Sequence, residues 1–92
     1  MNAVSVRMPP ILRPVVGGRT SLEAQGDTIN EILLFLSQEH PALGLHLFDE
    51  QGHARRNIVC LHDGELVRAR EFARRSVRPG DEIVLTNALV GG

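Results

Sequence analysis

A chain of 92 residues, 42% hydrophobic and 23% charged, supports one globular domain with a single core and little to spare. A formal charge of −1 excludes any general attraction to nucleic acid or anionic membrane, and three phenylalanines are too few for a base-stacking platform. No apolar run reaches membrane-spanning length, no signal-peptide pattern opens the chain, and the single cysteine permits no internal disulfide, which together point to the cytoplasm.

Taken in order, Val4-Ser5-Val6-Arg7-Met8 alternates apolar and polar and predicts a half-buried strand, with Val4, Val6 and Met8 inward and Arg7 outward. Pro9-Pro10 ends it, because neither residue donates to a sheet ladder. A loop over Ile11–Gly18 carries enough apolar residues to require packing, and Thr20–Ala24 returns as an antiparallel strand. Thr28 followed by Glu31 fits a capping box, and Asp27 puts negative charge at the positive end of a helix dipole. Ile29, Ile32, Leu33 and Leu36 then form one apolar stripe at i, i+3, i+4 and i+7. Pro41 predicts the end of that helix near Glu39-His40, and Ala42–Phe48 is mixed in character.

Further on, Asn57–Leu61 predicts a strand with Val59 and Leu61 inward and Ile58 and Cys60 outward, a parity that a one-residue slip would invert. Asp63-Gly64 is a hairpin signal leading to a short strand at Leu66-Val67. Phe72 is the apolar anchor of a basic, irregular stretch, and Arg78-Pro79-Gly80-Asp81 is a turn. Glu82–Thr86 is the last strand, with Ile83 and Leu85 inward and Val84 and Thr86 outward. A helix between strands in so short a chain has one sensible solution, a mixed sheet of four to five strands over one main helix. The expected fold class is therefore α+β, the β-grasp arrangement of ubiquitin, with the last strand central and parallel to the first. Residues 1–88 would form this domain and 89–92 a flexible tail ending in Gly91-Gly92. Glycine keeps such a thread thin enough to enter a narrow active site.

Gly26-Asp27-Thr28 before the helix, His62-Asp63-Gly64-Glu65 at the hairpin, Pro79-Gly80-Asp81-Glu82 before the last strand and Gly91-Gly92 together resemble the ThiS/MoaD family of ubiquitin-like sulfur carriers. Pro10-Ile11-Leu12-Arg13-Pro14 followed by Gly17-Gly18 is most similar to the CysO-type carriers of that family. The resemblance implies a carrier without catalytic residues or a bound cofactor. An E1-like adenylating enzyme would spend ATP to adenylate the carboxylate of Gly92, and a sulfur donor would displace AMP to leave a thiocarboxylate. In CysO-type systems the thiocarboxylate attacks an activated serine on a pyridoxal-phosphate cysteine synthase, and a JAMM-type metalloprotease releases cysteine. Related carriers serve thiamine, molybdopterin, methionine or thio-siderophore synthesis, and a ubiquitin-like protein modifier would use the same adenylation of Gly92. In this chain His62 stands where the family has an asparagine, and Asn87 and Val90 stand where CysO-like tails carry a proline and small residues. Val90 is the bulkiest group near the reactive end.

The outward positions Arg7, Ile58, Cys60, Val84 and Thr86 make the open sheet face the candidate docking surface, an apolar centre with a polar rim. Arg68, Arg70, Arg74, Arg75 and Arg78 read as a solvated edge, or as a face that guides docking to the adenylating enzyme. His40, His46, His53 and His62 match no metal-ligand spacing, so no metal site is expected. Every basic residue is an arginine, so the chain has no lysine to accept an isopeptide bond or form a Schiff base.

Overall fold

The computed structural model describes residues 2–87, of which Asn87 is described by its backbone alone; the tail residues Val90, Gly91 and Gly92 and the domain boundary at 88/89 lie outside it. Five strands form one sheet: β1 (Asn2–Arg7), β2 (Ser21–Gly26), β3 (Ile58–His62), β4 (Glu65–Arg68) and β5 (Glu82–Asn87). Their order is β2-β1-β5-β3-β4. β5 runs parallel to β1, with Val84 opposite Arg7, and antiparallel to β3, with Leu85 opposite Cys60. The sheet wraps over α1 (Ile29–Glu39), as the element order predicts for a β-grasp domain.

α1 forms where its signals place it. Thr28 Oγ1 accepts the Glu31 N–H at 3.2 Å, and Glu31 reaches back to the Asp27 N–H at 2.8 Å, one residue earlier than the usual reciprocal partner. The next two free amides are met by the basic stretch: Ile29 N–H donates to the Arg75 carbonyl and Asn30 N–H to the Phe72 carbonyl. Ile29, Ile32, Leu33 and Leu36 are fully buried, and Phe72 closes the core beside them. Gly26 permits this close approach of β2 to the helix, because a Cβ there would sit 2.8 Å from Glu31 Cβ and 3.0 Å from the Ile32 nitrogen.

Three expectations need correction. Pro41 ends α1 but also opens a second helix, α2 (Pro41–Leu47), so the mixed stretch is helical. Proline is well suited to the first helical position, where its missing N–H costs nothing. The loop after β1 is a 3₁₀ helix, Pro10–Val16, that buries Leu12 and Val16, and β2 starts and ends later than expected, at Ser21 and Gly26.

The third correction concerns β3. Ile58 and Cys60 face the core with Leu85 and Val67, whereas Val59 and Leu61 take the open face opposite Thr86 and Val84. Ile58-Val59-Cys60-Leu61 is apolar throughout, so alternation carries no phase there. Pairing with β5, whose Ile83 and Leu85 are fully buried, sets the parity instead.

Candidate functional site

The tail's root is held at both ends of β5. At its start, the Asp63 side chain accepts the Glu82 N–H at 2.9 Å while the Asp63 N–H donates to the Glu82 carbonyl at 3.0 Å. Asp63 (φ 49°) and Gly64 (φ 89°) both take left-handed conformations, as a two-residue type I′ hairpin demands, so the Asp-Gly signal also positions the strand that leads to the tail. Gly80 N–H donates to the Ala3 carbonyl, and the Asn2 amide side chain donates to the Val77 carbonyl, tying the preceding turn to the first strand. At its far end β5 pairs with β3 alone, Asn87 opposite Ile58, because its parallel pairing with β1 ends at Val84 opposite Arg7.

Behind the start of β5 lies a polar network that the sequence did not disclose. His62 is buried and spans two partners: Arg75 Nε donates to Nδ1 at 2.9 Å, and Nε2 lies 2.7 Å from Asp81 Oδ2. Because an arginine has only protons to offer, Nδ1 must be the acceptor and Nε2–H the donor, which selects one tautomer. Arg75 also pairs with Glu65. The hydrogen bond from His62, helped by the Arg78 N–H, holds the Asp81 carboxyl below its usual range. His62, Asp63 and Asp81 bring metal-ligating atoms within 4.8 Å of one another. Yet the guanidinium of Arg75 occupies the free imidazole lone pair, so the cluster is a structural hydrogen-bond network.

The predicted docking residues divide. Arg7 is exposed and Val84 half-buried on the open face, as expected. Ile58 and Cys60 are in the core, and burial alone pushes the Cys60 thiol up to about 12, so it is neither a docking residue nor a nucleophile. Their places are taken by Leu61 and Leu66, which stand in register across β3 and β4 beside Val84. Leu66 is 48% exposed, whereas Val59 turns to the same face but is covered, at 5% exposed. A polar groove lined by Ser5, Arg7, Ser21 and Glu82 borders this apolar strip. The Asp-Gly turn was the signal for Leu66, since a two-residue hairpin fixes which residues pair across it.

Comparison with known proteins agrees with this geometry. Residues 6–92 match the ThiS family. The chain belongs to that family. It is 30% identical to the sulfur carrier protein CysO of Mycobacterium tuberculosis over 91 residues, covering 97% of this chain and 98% of the relative. The solved BexX/CysO complex of Amycolatopsis orientalis superposes with a TM-score of 0.78 at 30% identity, covering 97% of this chain and 99% of that one. The solution structure of small archaeal modifier protein 1 from Methanosarcina acetivorans gives 0.82 at 28% identity, covering 100% and 98%. The ThiS-family chain thus groups with small sulfur carriers rather than with enzymes, on a ubiquitin-like β-grasp fold. Among the described residues no helix is long and apolar enough to cross a membrane.

Proposed function

We propose that the carboxylate of Gly92 is the reactive group of a sulfur carrier, adenylated by an E1-like enzyme and then converted to a thiocarboxylate. The observation that carries this reading is the likeness to CysO along nearly the whole of both chains. Carboxylate oxygen attacks the α-phosphate of ATP, pyrophosphate leaves, and the acyl-adenylate gains a good leaving group. A sulfide-level donor then attacks the carbonyl carbon, AMP departs, and the thiocarboxylate remains as a tethered nucleophile. Cysteine synthesis is the favoured destination, with a pyridoxal-phosphate synthase as acceptor and a JAMM-type metalloprotease releasing the product. The Amycolatopsis CysO, solved with BexX, supports a carrier that works by docking onto a partner protein. Arg7, Val84, Leu61 and Leu66 are the proposed docking strip.

The test is the intact mass after incubation with ATP, an E1-like adenylating enzyme and a sulfide source. Exchange of one oxygen for sulfur at Gly92 is expected. No change, under conditions in which a CysO control reacts, refutes the reading. Likeness to small archaeal modifier protein 1 supports a second reading, conjugation to other proteins through Gly92. Lysine-free as it is, this chain offers no side chain for isopeptide-linked extension of itself. High-molecular-weight adducts in extract would favour that second use.

A further inference from the structure

The fold redistributes the arginine run. Arg75 and the Arg78 backbone are drawn to the His62 end of the sheet, where β5 begins. Arg68 ends β4 directly opposite Val59, which is itself opposite Thr86, so Arg68 stands two strands from the end of β5. At a strand spacing of about 4.8 Å that is a lateral offset of about 10 Å. Arg56, in the turn just before Ile58, lines one groove together with Arg68, Ala69 and Arg70. All three arginines are exposed, and none of their guanidinium groups forms a salt bridge with a described carboxylate, although Glu71 Oε2 accepts the Arg68 backbone N–H at 2.9 Å. A net-acidic protein therefore gathers three unpaired guanidinium groups near the end of β5.

Chain length adds a constraint. However they are arranged, the five residues after Asn87 span at most roughly 17 Å. Any enzyme that takes the Gly92 carboxylate into its active site must bring the mouth of that site against this end of β5. We infer that Arg56, Arg68 and Arg70 form a basic collar that docks onto carboxylate side chains rimming the active-site mouth of the activating enzyme, an inference that rests on the adenylation proposed above. Guanidinium groups suit that partner, because their planar fork bonds a carboxylate bidentately. Nucleic acid fits less well: Phe48 and Phe72 are buried and Phe35 packs half-buried against the core, so no phenylalanine stands exposed as a platform for bases.

The experiment compares two charge-matched double variants, Arg56→Glu/Arg68→Glu at the collar and Arg74→Glu/Arg78→Glu outside its groove, by pyrophosphate release from the E1-like enzyme and ATP. The collar variant should raise KM for the carrier by about tenfold, leave kcat at saturation near the wild-type value, and flatten the salt dependence; the second variant should change KM by less than about threefold. Arg70→Glu, placed outside the strands, should shift KM in the same direction and serves if the double variant folds poorly. Equal effects of the two double variants, or no effect at the collar, overturn the inference while leaving adenylation itself intact. Binding of a random single-stranded oligonucleotide that is lost in the collar variant, with KM unchanged, overturns it in favour of nucleic acid. If the wild-type chain is not adenylated by an enzyme that processes a CysO control, the carrier reading fails and the collar's assignment fails with it.

Discussion

The parity of β3 separates two neighbouring residues into opposite roles, and substituting each in turn tests that separation. Cys60 is fully buried between Val67 and Leu85, within the hydrophobic core. Leu61, one residue on, is half-buried on the open face opposite Leu66 and Val84. A domain of this size is stable by about 5–14 kcal/mol in total. Burying an unpaired hydroxyl costs about 1–3 kcal/mol, and an unpaired carboxylate costs several, most of that reserve. Cys60→Ser should therefore lower stability by about 1–3 kcal/mol, and Cys60→Asp should leave little folded protein. Leu61→Asp forfeits only part of a leucine's burial, about 1 kcal/mol, and its charge stays in water. Urea denaturation followed by circular dichroism gives each midpoint. If Cys60→Asp unfolds near the wild-type midpoint while Leu61→Asp does not fold, the strand faces the other way and the docking strip is misassigned.

Val84→Asp should leave the urea midpoint within about 1 kcal/mol of wild type while slowing adenylation or thiocarboxylate transfer at least about tenfold; normal rates for both would remove the open face from partner docking. Gly26→Ala should cost about 1–3 kcal/mol, because its Cβ meets the first-turn backbone of α1, and thermal unfolding should show a midpoint lower by about 4–8 °C per kcal/mol. The Asp81 carboxyl is held low by His62 and the Arg78 N–H, so it is depressed in the folded state. Its stabilising contribution is present above the ordinary carboxylate range and is lost as pH falls through the folded value. Thermal midpoints measured from neutral pH into acid should fall below about pH 4, and Asp81→Asn should flatten that fall.

How much of this was legible depended on whether each signal was local. The capping box at Thr28 and Glu31, the stripe of α1 and the Asp63-Gly64 turn each operate within a few residues, and each forms as written. The fold followed from their order. Four consecutive apolar residues in β3 carry no alternation, so their facing was settled by β5, a distant strand in the sequence. Pro41 was legible as a stop and equally well suited as a start, and only packing of α2 against α1 decides between them. Arg68 and Arg75 are close in sequence, yet one closes β4 and the other pairs with Glu65 at its start, so they stand at opposite ends of that strand. Arg56 joined its partners only through the β3–β4 register, and His62 found Arg75 and Asp81 only in three dimensions.

The pairing of β5 with β1 also orders events during synthesis. β5 is the middle strand, and without it the β1–β2 hairpin and the β3–β4 hairpin share no ladder. A nascent chain cannot close its sheet until residues 82–87 have emerged, and contacts between such distant stretches form slowly. Early termination upstream of β5 therefore leaves two hairpins that share no ladder, however well each forms by itself.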